Sequence, residues 1–242
     1  MMVSLYFGHF FGQTVQPFFT SRLYHYTGVK AIKLRYFRCC IISRDRDKMK
    51  KQTLREVCMK RIAVFFPGIG YTVDKPLLYY SKKMMRERGY EIVDIGYKGI
   101  SKDCLRDKNL MADTFNAVFD QTREQLSDID LGVYEDVVFI SKSVGTVAAA
   151  KYASDHGVRA RHVFYTPLEQ TFDYAGEGTK IVFFGDHDPW IVFDRIKELC
   201  ESHDFRYTVI SDGNHSLETG RTFDDADNIG KIIRETGDCL FD

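Results

Sequence analysis

Paired cysteine motifs are missing from this sequence. Its six cysteines, at 39, 40, 58, 104, 200 and 239, have no C-x-x-C spacing and no matching histidine cluster. That excludes a zinc-ribbon site or a disulfide framework and suits a reducing, cytoplasmic compartment. No H-E-x-x-H run or EF-hand loop occurs, so neither a metal nor another cofactor is called for. Net charge is lacking too: 34 Lys and Arg balance 34 Asp and Glu, which gives the whole molecule no pull towards nucleic acid or an anionic membrane. Residues 1–21 hold no Asp, Glu, Lys or Arg at all, yet Gly8, His9, Gly12, Gln13, Gln16 and Pro17 interrupt their apolar run. With no basic leader and no small-residue cleavage site, neither a signal peptide nor membrane insertion is expected.

The charge that is present is unevenly spread. Residues 1–60 carry twelve Lys or Arg against three Asp or Glu, and the remainder carries 22 against 31. The first 58 residues show no sustained helical or alternating pattern and read as a basic, aromatic, poorly ordered extension. Met59-Lys-Arg-Ile-Ala-Val-Phe-Phe looks like the start of a domain, because a core strand begins immediately after it. Residues 1–58, or 1–48 if Met49 is used, are therefore expected to lie upstream of the native start, and residues 59–242 to form one domain.

From residue 61 short apolar strands alternate with helices. Strands are expected at Ile62–Phe66, Glu91–Ile95, Val137–Ile140, His162–Tyr165, Lys180–Phe184 and Arg206–Ile210. Helices are expected at Asp74–Arg88, Leu110–Leu126, from Val144 to about His156, from about Ile191 to His203, and from about Asp225 to Thr236. Asp74 is suited to cap the first of these, Pro76 to its first turn and Gly89 to its stop. This alternation predicts an α/β fold, a three-layer α/β/α sandwich around a mostly parallel sheet of about six strands. In such a sheet chemistry belongs at the carboxyl ends of the strands.

The third strand runs straight into a helix through Ser141-Lys-Ser143-Val-Gly145, one residue away from the G-x-S-x-G nucleophile elbow. Small residues are needed two before and two after the nucleophile because strand and helix nearly touch there. Gly145 meets that need and Ser141 is the next smallest choice. The first strand delivers Pro67-Gly-Ile-Gly-Tyr71; without a third glycine or a Lys-Ser/Thr it is a weak phosphate loop. Its alternative is an oxyanion loop, with an N–H near Ile69 joining that of Val144. The fifth strand delivers Gly185-Asp-His-Asp188-Pro-Trp190, in which Asp186 and Asp188 both qualify by type to orient a histidine and Asp186 suits a turn. The sixth delivers Gly213-Asn-His215, where a mobile imidazole has room. Three strand ends thus yield Ser, Asp and His in that order.

On these residues the chain resembles the α/β-hydrolase superfamily, and within it the small lidless members near dienelactone-hydrolase-like proteins and short-chain esterases. The resemblance covers about residues 61–237 and rests on Phe66-Pro-Gly-Ile-Gly70, Ser141-x-Ser143-x-Gly145, Gly185-x-x-Asp188 and Gly213-Asn-His215. It departs at Pro67, where the family has histidine, and at Ser141, where it has glycine. It favours Asp188 as the acid. It implies a serine esterase or thioesterase with Ser143, Asp188 and His215 as the catalytic residues, Ile69 and Val144 as oxyanion donors, no cofactor, and a small acyl molecule as substrate. Amide or carbon–carbon cleavage, or a catalytically weak binding protein on the same fold, are the alternatives. Only residues 166–178 follow the fourth strand, too few for a lid domain. Tyr71, Tyr165, Leu168, Phe172 and Trp190 are candidates for an apolar substrate wall, with Tyr71 and Trp190 foremost and plain packing the equal alternative. Lys142, beside Ser143, is a candidate for favouring anionic substrates.

Overall fold

A computed structural model describes residues 59–101 and 110–242; the expectations for residues 1–58 lie outside them. Among the described residues the order is β1 (Arg61–Phe66), α1 (Pro76–Glu87), β2 (Glu91–Asp94), α2 (Met111–Leu126), β3 (Asp136–Lys142), α3 (Val144–His156), β4 (Arg161–Tyr165), β5 (Thr179–Gly185), α4 (Phe193–Ser202), β6 (Tyr207–Ile210) and α5 (Thr222–Phe241). The six strands form one sheet in the order β2-β1-β3-β4-β5-β6, and every pairing is parallel. The expected mostly parallel sandwich is therefore wholly parallel.

Strand alternation divides the core in two. Ile62, Val64 and Phe66 of β1 and Val137 and Phe139 of β3 pack against α2 and α3, and Phe164, Val182 and Phe184 extend that layer to α4. Ala63, Phe65, Val138, Ile140, Val163, Tyr165, Ile181 and Phe183 face α1 and α5. Strands covered on both faces must be apolar at nearly every position, which is why they read as continuous runs rather than alternations. A polar network crosses the second layer: Tyr165 Oη lies 2.9 Å from both Ser81 Oγ and Thr236 Oγ1.

Two helix ends differ from their sequence reading. Asp74 does not cap α1. Lys75 holds the N-cap position without a side-chain bond, and Asp74 instead approaches Lys82 at 3.7 Å. Pro76 does open the helix, and Gly89, at φ 79°, follows its end. The last helix does not stop at Thr236. It continues to Phe241, because Gly237 serves contact rather than termination: a Cβ there would stand 3.2 Å from Met84 Sδ of α1. The glycine lets α5 lie close on α1 and carry Leu240 into the core.

Gly237→Leu should therefore wedge α5 away from α1 and lower stability by roughly 1–3 kcal/mol, the usual cost of overpacking. A fall in the urea midpoint at unchanged m-value checks this; an unmoved midpoint contradicts it.

Candidate active site

The turn from β3 into α3 is set by backbone crowding. A Cβ on Gly145 would lie 2.4 Å from the Pro67 carbonyl oxygen and 2.5 Å from that of Phe66. Only glycine lets α3 start that near β1, and the chain must turn sharply to get there. Ser143 absorbs the turn at φ 56°, ψ −128°, a conformation that side chains rarely adopt. It is held there from both sides: its N–H donates to Tyr165 O at 3.0 Å, and its carbonyl accepts from Thr146 N–H at 2.8 Å and Thr146 Oγ1 at 2.6 Å. Thr146 is anchored in turn on Thr171 Oγ1 at 2.6 Å. Ser141 is fully buried, and its hydroxyl is 3.3 Å from Val163 O, so the departure from glycine is accommodated within the sheet.

The loops after β5 and β6 are tied together. A Cβ on Gly185 would overlap Gly213 O at 1.9 Å, His187 N–H donates to Gly213 O at 3.0 Å, and Asp186 N–H to Ile210 O at 3.3 Å. This close approach brings Asp188 to His215: Nδ1 of the imidazole lies 2.7 Å from Asp188 Oδ2. Asp188 Oδ1 accepts from Trp190 N–H at 2.9 Å, and the carboxylate side chain is wholly buried. His215 Nε2 lies 2.8 Å from Ser143 Oγ. Ser143, His215 and Asp188 thus form one unbroken relay. Asp186 lies outside it, bonded to the exposed His187.

The His215 pKa is lowered, chiefly because burial disfavours the imidazolium; the hydrogen bond that Asp188 accepts opposes this and the charge of Lys142 adds to it. A neutral imidazole with Nδ1–H donated to Asp188 leaves Nε2 free to accept the Ser143 proton.

The loop after β1 closes the near side. Gly68 and Tyr71 exchange backbone bonds of 3.1 and 3.3 Å, and a Cβ on Gly68 would lie 3.1 Å from Ser143 Cβ. Ile69 sits at the tip of this turn, and its N–H has no bonded acceptor among the described residues. Val144, the first residue of α3, has no acceptor one helical turn back. Both N–H groups thus have no protein acceptor among the described residues.

Three of the sequence readings change here. Tyr71 is buried, with its hydroxyl accepting from Leu77 N–H at 3.1 Å, so it packs behind the loop instead of lining a wall. Tyr165, Leu168 and Phe172 are buried as well; of the five wall candidates only Trp190 keeps appreciable exposure, its ring centroid 5.9 Å from that of His215. Lys142, the candidate for favouring anionic substrates, is 2% exposed and points to the His215 carbonyl. Thr146 was not singled out in the sequence; a threonine three residues after the nucleophile is its only signal. Beside the relay, Asp186, His187 and Asp212 bring ligand-type atoms within 4.8 Å of one another, all on exposed side chains, and Arg221 pairs with Asp212 at 3.2 Å. That is a solvated charge cluster.

No protein-family model and no curated protein matches the chain. Solved structures do. A dienelactone hydrolase from Anabaena variabilis aligns at TM-score 0.55 and 15% identity, over 76% of this chain and 86% of its own. An α/β serine hydrolase homologue from Coxiella burnetii aligns at 0.53 and 17%, over 72% and 84%. The chain has the α/β-hydrolase fold. Mouse α/β hydrolase domain-containing protein 10, at 0.51 and 11% over 74% and 88%, extends the likeness. Within the α/β-hydrolase fold, the relay stands at the carboxyl ends of β3, β5 and β6, where such sheets carry their ligand chemistry.

Asp188→Asn should lower the His215 pKa further, since the carboxylate is what raises it. A histidine NMR titration reads this without any substrate; an unchanged or raised value contradicts the geometry.

Proposed function

We propose that the chain is a serine hydrolase that cleaves a small ester or thioester through an acyl-enzyme. The observation that carries this reading is the relay itself, Ser143 Oγ to His215 Nε2 at 2.8 Å and His215 Nδ1 to Asp188 at 2.7 Å, on a serine held at positive φ at the head of a helix. His215 takes the Ser143 proton as Oγ attacks the substrate carbonyl, and Asp188 stabilises the imidazolium formed. The N–H groups of Ile69 and Val144 are the donors for the oxyanion, a contribution of about 3–4 kcal/mol each in serine hydrolases. Collapse expels the alkoxide or thiolate, which takes its proton from His215. A water then gives its proton to the same nitrogen, attacks the acyl carbon, and releases the acid as Ser143 regains its proton. Nothing in this cycle requires a cofactor.

With only residues 166–178 between β4 and β5, and much of that stretch packed on the core through Leu168, Thr171 and Phe172, the acyl group would be received at an open surface beside Trp190. This favours small acyl groups. An ester and acyl-CoA panel of graded chain length should show turnover falling as the chain lengthens, and a preference for long chains would contradict the open site.

Ser143→Ala should keep the fold and lose roughly 10⁴–10⁶-fold in kcat; native-like turnover by that variant overturns the assignment. Because the base must be neutral and its pKa is lowered, the acid limb of kcat/KM should fall below the ordinary histidine value of about 6.5. A limb above that value would contradict the burial of His215.

A further inference from the structure

Strand β3 alternates Val138, Ile140 and Lys142 onto the face covered by α1 and α5, where the first two belong to the core. A lysine at the third position is an anomaly. It is 2% exposed, and removing an ammonium from water is among the costliest burials a chain makes. An aliphatic residue would fill the position as its neighbours do. What the lysine adds is reach and a donor. Its stem passes beside Gly68, where a Cβ would lie 3.5 Å from Lys142 Cδ. Its ammonium faces the Tyr71 ring at 4.8 Å and donates to the His215 carbonyl at 2.8 Å. Two successive residues, the last of β3 and the turn residue after it, therefore hold one residue of the β6–α5 loop at two points. Lys142 takes its main chain, and Ser143 meets its ring.

We propose that Lys142 is the positioning residue of this site, gripping the His215 main chain so that the imidazole stays in line with Ser143 Oγ. The inference rests on the hydrolase reading and adds to it a residue that touches neither substrate nor reacting atoms. Other contacts hold the loop on either side of His215: Gly213 O accepts from His187 N–H at 3.0 Å and Leu217 N–H donates to Asn214 O at 2.8 Å, Asn214 accepts from Ser216 N–H at 2.7 Å, and Leu217 is seated in the core. Lys142 adds the contact made on the His215 carbonyl itself.

The same ammonium is an electrostatic neighbour of the base. Facing Lys142 are Asp188 from the β5–α4 loop, His215 and Glu218 from the β6–α5 loop, Tyr71 from the β1–α1 loop, and Tyr165 beside it in β4. Burial pushes the Lys142 pKa down to about 7, against the opposing pull of Asp188 and Glu218. Below that pH its charge lowers the His215 pKa while Asp188 raises it. The lysine thus contributes two separable effects, a hydrogen bond that places the ring and a charge that helps keep it neutral.

The test uses the full chain with Lys142→Met, which removes donor and charge, and Lys142→Gln, which removes the charge and keeps a donor for the carbonyl. Three quantities are read: the His215 pKa by NMR titration, the rate of fluorophosphonate labelling at Ser143, and the urea midpoint. Lys142→Met should raise the His215 pKa and slow labelling roughly tenfold to a hundredfold, the scale of a misplaced catalytic group. Its urea midpoint should hold or rise, since a buried charge has gone. Lys142→Gln should raise the pKa similarly and recover most of the labelling rate. The proposal is overturned if Lys142→Met keeps the native pKa and labelling rate. It is equally overturned if labelling falls only in step with lost stability, which marks a merely structural lysine. Failure of the native protein to label would remove the hydrolase reading. The His215 ring resonances in the same variants would then decide the Lys142 contact alone: a displacement in Lys142→Met that Lys142→Gln largely reverses upholds it, and unmoved resonances in Lys142→Met refute it.

Discussion

Where β3 passes into α3 the backbone of one element rests directly on the backbone of another, and Gly145 against the Phe66 and Pro67 carbonyls leaves no room for a methyl group. The rest of the site depends on that contact. It places α3 so close to β1 that Ser143 must take a positive φ. That conformation costs of order 1–3 kcal/mol unless the surroundings enforce it. Here they do, through Tyr165 O on one side and Thr146 on the other. Strain at the turn and an outward hydroxyl at its tip have the same cause.

A second close approach, Gly185 on Gly213, does for Asp188 and His215 what the first does for Ser143. It fastens the loops after β5 and β6 together, so the buried Asp188 and the partly open His215 are placed jointly against Ser143. Lys142 joins the two assemblies from beneath. The tolerance for a buried ammonium comes from its surroundings: an aromatic face, a carbonyl, and acids on two neighbouring loops. The polar network of Ser81, Tyr165 and Thr236 lies on the same face of the sheet, so this layer combines apolar packing with satisfied polar groups.

The sheet was legible in the sequence because doubly covered strands need unbroken apolar runs, and each expected strand matches an observed one within a few residues at either end. The residues at the strand ends were legible because close packing demands small residues there and proton transfer demands a serine, an acid and a histidine, which this fold delivers in that order along the chain. What escaped detection was the direction of individual side chains. Lys142 drew attention as a charge beside Ser143 and not for its place in the Val138, Ile140 alternation, although that parity already pointed inward. Tyr71 looked available because a loop tyrosine gives no hint that its hydroxyl serves Leu77 N–H. Gly237 gave no sign of its contact because its partner, Met84, is 153 positions earlier in the chain. Contacts between distant segments decide all three.

The central claim is that Ser143 forms a covalent acyl-enzyme. Mixing the native protein with excess p-nitrophenyl ester, quenching rapidly in acid and mapping the acylated peptide by mass tests it most directly. The account predicts one acyl group per chain, carried by Ser143. Acylation confined to another residue, or rapid ester turnover with no covalent adduct at any quench time, would contradict it.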